Sequence, residues 1–433
     1  MTRMRQLSET LASAELARAY TLTALAAAFS SFAIERLTST VTLATIIGLL
    51  ALTGAAILFV RREELTLLRF APSSLLAFLA LALVSGLWSG DRSETLAGWL
   101  TLCGYAIIAI TIGHVRDTLQ TVRALGDTLR WLLGISLGVE VLAGILLDMP
   151  IPLLGIQGNL ALGGPIQGLF GTRNMLGFVA VIALVTFAVE WRTQSVPRTA
   201  GVASVSLAAL LAFLSSSPSV VVLATAIGIA SSALAVVRHA APQRRPMVQW
   251  TLGALVLAGL ALAFALRHQI IRFLDAGSDF STRADLWNTI LDFVAQQPVL
   301  GWGWVGPWPR GEYPYTYINF LLDDAHGTAL NAYFDVLLQL GSAGLVLFLV
   351  LGGVAVVRSW LVASARRSVV YAWTPLVLAT LAVESMFESF TLTGAGWMLF
   401  VLCALRAGQS RSWRETIDAA HTGTITALRH EEP

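Results

Sequence analysis

Residues 38–60 read TSTVTLATIIGLLALTGAAILFV, a run without a single charge that Arg61 and Arg62 close. As a helix rising 1.5 Å per residue it is long enough to cross the roughly 30 Å of hydrocarbon in a bilayer. Working outward, similar runs lie at 18–35, 70–88, 96–113, 128–147, 174–190, 199–214, 218–237, 249–266, 332–356, 370–388 and 391–407. The sequence therefore predicts an all-α polytopic membrane protein with about twelve transmembrane helices, residues 1–433 forming one integral membrane domain. Composition agrees: 56% of the 433 residues are hydrophobic and 12% charged, and mean hydropathy is +0.72. A soluble body of this size would lack the polar residues to cover itself.

Orientation follows from the basic residues, all 28 of which are Arg. With the N-terminus inside, only Arg36, Arg92, Arg173, Arg267, Arg272, Arg283 and Arg310 fall in outer segments, and every inner loop holds at least two of the others. Basic residues are retained on the cytoplasmic side, so both termini are expected in the cytoplasm, with 409–433 a polar cytoplasmic tail carrying His421 and His430. Residues 1–18 lack the apolar core of a cleaved signal. The Arg residues form no stripe that would follow a phosphate backbone, which argues against nucleic acid as a partner. The short inner loops carry no phosphate-binding glycine motif, which argues against a nucleotide. Cys103 and Cys403 each sit in an apolar run and read as buried small residues rather than a disulfide.

Two outer segments are too long for simple turns: 148–173, rich in Pro and Gly, and the external loop 267–331. Within the latter, 282–297 predicts a short amphipathic helix near the membrane surface, opened by a capping box of Thr282 and Asp285 and ended by Pro298. A run of rigid rings follows, Gly301-Trp302-Gly303-Trp304-Val305-Gly306-Pro307-Trp308-Pro309, with Tyr313, Tyr315 and Tyr317 beyond it. Such rings suit either a headgroup belt or stacking on sugars.

Several polar residues here are candidates for chemistry. Arg283 reads either as a surface Arg paired with Asp279 or Asp285, or as a planar fork for a phosphate or diphosphate, helped by the free N–H groups of the helix start. His326 follows Asp323 and Asp324; it is either a solvent-facing interfacial His or a general base oriented by a neighbouring acid. The outer face offers no Cys and no close His pair, so no metal and no other cofactor is expected. Arg173 and Asn174 either anchor the entrance of their span or contribute to a site, and Arg310 has weaker local support. Glu384 and Glu388, one turn apart at the outer end of 370–388, either pair with an Arg of the external site or mark a transport route.

The late segment resembles a known family. Arg283-Ala284-Asp285-Leu286-Trp287, then Gln297-Pro298-Val299-Leu300-Gly301-Trp302-Gly303, His326, and Asn331 through Gly344 (NAYFDVLLQLGSAG) are similar to the O-antigen ligase and polymerase superfamily. Leu87-Trp88-Ser89-Gly90-Asp91 and Gly168-Leu169-Phe170-Gly171-Thr172-Arg173-Asn174 are similar to its earlier motifs. The resemblance implies a GT-C-like membrane glycosyltransferase of the cell envelope. Such an enzyme moves a glycan from a polyprenyl-diphosphate donor, normally undecaprenyl diphosphate, to a hydroxyl of a glycan or glycolipid acceptor on the outer face of the cytoplasmic membrane. It implies donor binding by Arg283, with Arg173 at a matching earlier position and Arg310 in support, His326 as general base, and other envelope-assembly proteins and membrane lipids as partners. Asn174, Asp323, Asp324, Asn331, Glu384 and Glu388 are supporting or alternative site residues. The sequence departs from the pattern at Leu330, where many members have His directly before the Asn. Diphosphate is already a good leaving group, and Arg side chains can stabilise its charge without a metal. Two other readings stay open: a transporter of a polysaccharide or lipid-linked glycan, and a non-catalytic subunit of envelope assembly.

Overall fold

The computed structural model describes residues 11, 13–64, 70–241, 243–266, 269 and 277–409. Among them the chain forms helices and turns, its one β feature being an isolated bridge between Ile151 and Ile156. Helices α1 (Ala14–Phe29), α2 (Ser31–Leu37), α3 (Thr40–Val60), α4 (Ser73–Val84), α5 (Arg92–Val115) and α6 (Thr118–Val141) form the first half. Then follow α7 (Arg173–Arg192), α8 (Arg198–Leu214), α9 (Pro218–His239), α10 (Arg245–Ala265), α11 (Gly277–Val294), α12 (Tyr315–Leu322), α13 (Ala332–Ala365), α14 (Val370–Glu384) and α15 (Gly394–Gln409). Their starts are chemically marked. Ser13, Ser39, Asp91, Asp117, Thr172 and Asn331 each accept hydrogen bonds from first-turn N–H groups, and Asp117 forms a full capping box with Gln120.

Each apolar run read from the sequence coincides with a helix, and among the described residues six helices are long and apolar enough to cross a bilayer: α3, α5, α6 with its π-turn extension to Leu146, α7, α9 and α13. The chain is a polytopic membrane protein. Helix α7 is its axis, with 72% of its most apolar window buried against α6, α8, α9 and α14, whereas α9 buries only 17% of its own and turns the rest outward. Helix α15 is apolar on every side and enclosed by α5, α13 and α14, as a helix without a polar face must be.

Several boundaries differ from expectation. The first run is broken at Ser30, whose hydroxyl donates to the Ala26 carbonyl (2.6 Å) and separates α1 from α2. The helix expected at 282–297 runs Gly277–Val294, so the Thr282–Asp285 capping box does not form its start. By type, Gly277, Ser278 and Asp279 begin a helix as well as Thr282 does. A second short helix between α11 and α13, α12, was not anticipated; its aromatic stretch carries no strong helix signal. Helix α14 ends at Glu384, leaving Glu388 in the following turn, and α13 continues to Ala365 but is broken at Gly341. The expected tail beyond Gln409, with His421 and His430, lies outside the described residues, as do Arg267 and Arg272.

Candidate functional site

The break in α13 organises the loop that precedes it. Gly341 has φ 63° and ψ −165°, a region essentially reserved for glycine, and the loop backbone bonds to the helix on both sides of it. The N–H groups of Trp302 and Gly303 donate to the carbonyls of Leu338 (3.0 Å) and Gln339 (2.8 Å), and those of Ser342 and Ala343 donate to the carbonyls of Pro298 (2.9 Å) and Val299 (3.1 Å). Two buried side chains of α13 hold the next residues. Gln339 Oε1 accepts from the N–H groups of Val305 (2.8 Å) and Gly306 (3.0 Å), and Asp335 Oδ1 accepts from the Trp308 indole (2.7 Å). Asp335 Oδ2 accepts from the Ala329 N–H (3.0 Å) and the Ser389 hydroxyl. Oδ1 also accepts from Gln339 Nε2 one turn along the helix (3.3 Å), so three of the four bonds to this carboxylate fix loop residues. Trp304 and Trp308 are thereby buried, and of the rings considered for sugar stacking only Tyr313 and Tyr317 stay largely exposed.

Around this scaffold three distant stretches of chain meet. Arg283 lies in the second turn of α11, where its own N–H is engaged within the helix, so the expected help from a free helix start is absent. Its Nη1 donates to the carbonyls of Leu330 (3.2 Å) and Phe387, and Nη2 donates to Glu388 Oε1 at 3.0 Å. The ion pair is well enclosed, the side chains of Arg283 and Glu388 being 16% and 8% exposed. The same Glu388 oxygen accepts from Asn174 Nδ2 (2.7 Å), and the Ser217 hydroxyl donates to Asn174 Oδ1 (2.7 Å) and lies 3.0 Å from the Ser219 hydroxyl. Of the pairings open from sequence, the structure selects Glu388 over Asp285. Glu384 is fully buried beside Ser219, Glu388 and Arg283, yet neither of its oxygens meets a donor in bonding alignment.

Leu330 and Asn331 form the rim. Leu330 adopts φ 48°, left-handed and costly for a residue with a branched side chain, and this conformation presents its carbonyl to Arg283. Asn331 caps α13 by accepting from Tyr333 and Phe334 N–H (2.9 and 3.1 Å), while its Nδ2 donates to the Met386 carbonyl (3.0 Å). Arg173, the first residue of α7, is half-buried next to Asn174.

His326 belongs to a loop, not to the helix that Asn331 opens, so helical spacing between the two does not apply. Its main chain is clamped by Asn319, which accepts from the His326 N–H (3.0 Å) and donates to its carbonyl (2.9 Å). Its Nε2 lies 3.4 Å from Asp324 Oδ2 but out of bonding alignment. Asp323, left-handed, ends α12, and both aspartates are exposed. Among the described residues no hydrogen bond or ion pair joins His326 or the exposed Arg310 to the Arg283 cluster. Near the start of α5, burial, aided by a hydrogen bond with Asp91 and the Asp91 and Glu94 charges, pushes the Glu312 carboxyl up to about 7. Bonds from Ser93 and from the Glu94 N–H hold Asp91 low.

Sequence reading missed Ser217 and Ser219, which looked like nothing more than turn residues. It also missed Asp335 and Gln339, although two polar residues one turn apart in an apolar run are a signal in their own right. Comparison with known proteins then bears on the whole arrangement. Residues 166–349 match the family model described as O-antigen ligase, so the resemblance read from the motifs is shown there. The match includes Arg173, Asn174, Ser217, Arg283, His326 and Asn331 and stops before Glu384 and Glu388. No curated protein matches the chain.

Proposed function

We propose, from the O-antigen ligase match over residues 166–349 and the cluster in which its Arg283 and Asn174 meet Glu388, that this polytopic membrane protein is a metal-independent glycosyltransferase acting at the outer face of the cytoplasmic membrane. Its donor is a glycan on a polyprenyl diphosphate, and its acceptor is a hydroxyl of another glycan or a glycolipid, as in a ligase or polymerase of envelope polysaccharide. In this reading the chain crosses the membrane about twelve times in a GT-C-like arrangement, and 267–331 is its external loop.

The observation that carries the reading is the setting of Arg283. A guanidinium held in plane by two main-chain carbonyls, with its other arm turned to an anion, has the geometry for binding diphosphate and for stabilising the charge that builds on it as the glycosidic bond breaks. Arg173 adds charge on the α7 side and Arg310 at the rim. His326 receives the proton of the acceptor hydroxyl, with Asp324 beside it to orient the ring.

Purified protein in vesicles with a labelled polyprenyl-diphosphate glycan tests this directly. Arg283→Lys keeps the charge but loses the planar fork, so transfer falls severely, and Arg283→Ala falls at least as far. His326→Ala keeps donor binding and loses about 10²- to 10⁴-fold in turnover. Normal transfer by both Arg283 variants would refute the donor clamp, normal turnover by His326→Ala would remove its catalytic role, and glycan flux without any new glycosidic bond would make the protein a transporter.

A further inference from the structure

The same oxygen of Glu388 is the meeting point of two donors from opposite sides of the cluster, Arg283 Nη2 at 3.0 Å and Asn174 Nδ2 at 2.7 Å. Each donor is fixed without Glu388. Arg283 is held by the Leu330 and Phe387 carbonyls through its other nitrogen. Asn174 is oriented by the Ser217 hydroxyl, which donates to the amide oxygen and so turns the NH₂ group toward the carboxylate. Two prearranged donors, one cationic and one neutral, converging on one anionic oxygen make an oxyanion subsite. The anion in it belongs to the protein and sits in a turn outside α14. Glu384, with both oxygens buried, stands beside it.

We infer that Arg283 and Asn174 together form the binding position for one phosphate of the donor diphosphate, and that Glu388 occupies this position as a placeholder until the donor displaces it. The inference rests on the glycosyltransferase reading and adds a second phosphate ligand and an internal competitor. Exchange is geometrically simple: one anionic oxygen replaces another between donors that do not move, and Glu388 swings away on its own side chain. Until then Arg283 is neutralised and kept from adventitious anions.

The claim predicts effects of opposite sign on two residues that touch each other. Glu388→Gln keeps shape but removes the competing charge, so donor binding tightens, by about tenfold for the loss of a charge-assisted competitor. Glu388→Asp, which draws the carboxylate back by one methylene, tightens it by less. Asn174→Ala removes a ligand and weakens binding by about five- to tenfold. Binding of labelled polyprenyl-diphosphate glycan, and of inorganic pyrophosphate as the headgroup alone, is measured on the purified full chain, with thermal midpoints to establish folding. Weaker binding in folded Glu388→Gln or Glu388→Asp would mean that Glu388 merely positions Arg283, and would overturn the inference. Unchanged binding in Asn174→Ala would overturn the two-donor subsite. Either result with normal wild-type binding leaves the glycosyltransferase reading standing, whereas a wild-type protein that binds neither probe removes that reading itself.

Discussion

Asn331 shows how a residue of a recognisable motif can serve the site without touching substrate. Its side-chain oxygen caps α13 and its amide nitrogen ties that cap to the Met386 carbonyl, two residues before Glu388. Ala332 N–H adds a bond to the Ser385 carbonyl (2.8 Å). The helix start and the Glu388 turn are therefore one unit, and Leu330, just before it, delivers its carbonyl to Arg283. Asn331→Ala removes a cap and a tertiary hydrogen bond, together about 1–3 kcal/mol. A lowered unfolding midpoint in detergent is the expected outcome, with donor affinity falling only insofar as Arg283 loses alignment. A variant of normal stability with abolished chemistry would instead make Asn331 a catalytic group. At this scale the sequence was partly legible. The residue types of Arg283, Asn174 and Glu388 announced themselves because charges and amides are expensive in or near a bilayer. The pairing of Glu388 with an Arg was one of the readings left open, but its convergence with Asn174 was not legible, since that joins side chains 214 residues apart.

At the scale of elements, the decisive event is the interruption of α13 at Gly341. A Cβ there would fall 2.3 Å from the Val299 carbonyl carbon and oxygen, and one at Gly301 would fall 2.6 Å from the Gln339 carbonyl. The 298–306 loop and the broken helix thus approach through glycine backbones. Helix α5 joins them, since a Cβ at Gly98 would sit 2.5 Å from the Val305 carbonyl oxygen. Gly341→Ala combines a forbidden conformation with a backbone clash, so a loss of about 3 kcal/mol or more is expected, with release of the 298–306 loop to protease. Gly353, further along the same helix, has nothing within 4 Å of an added Cβ. There Ala should be neutral or stabilise by up to about 1 kcal/mol. Equal tolerance at the two positions would show that the loop does not lean on the break. Hydropathy alone located α13 but not the break, because a Gly in an apolar run marks a kink, a close approach or neither. The Trp residues misled for a related reason: rings between helix breakers look exposed until a buried Asp335 supplies a partner for the Trp308 indole.

At the scale of the molecule, the helices share a sense of direction that gives the protein two unlike ends. The starts of α7, α9 and α13 and the end of α14 meet at the cluster of Asn174, Ser217, Asn331 and Glu388. The far ends hold a different set of contacts. Arg130 pairs with Asp127 at 2.8 Å and with Glu190, Arg238 Nε donates to the Ala363 carbonyl (2.7 Å), and Arg406 donates to the Arg116 carbonyl and, at 3.2 Å, to the Thr121 hydroxyl. Along α7 the two ends, Asn174 and Glu190, are separated by about 24 Å at 1.5 Å per residue, close to the thickness of a hydrocarbon core. The far end also carries Arg62, Arg192, Arg244 and Arg366, whereas the site end holds few basic residues, the asymmetry on which the proposed outer position of the site rests. The orientation expected from counting charges is a proposal that labelling must test; the depth of the site within its end was not legible, because that depends on how α11 and the Glu388 turn fold over it. Single cysteines test the assignment in intact cells, after replacement of Cys103 and Cys403. Cysteines at positions 173, 283 and 326 should react with an impermeant thiol reagent, with 283 the slowest because Arg283 is mostly enclosed. Those at 62, 244 and 366 should react only once the membrane is permeabilised. The reverse pattern would place the cluster in the cytoplasm, where a donor displayed on the outer leaflet could not reach Arg283, and the proposed chemistry would fail with the orientation.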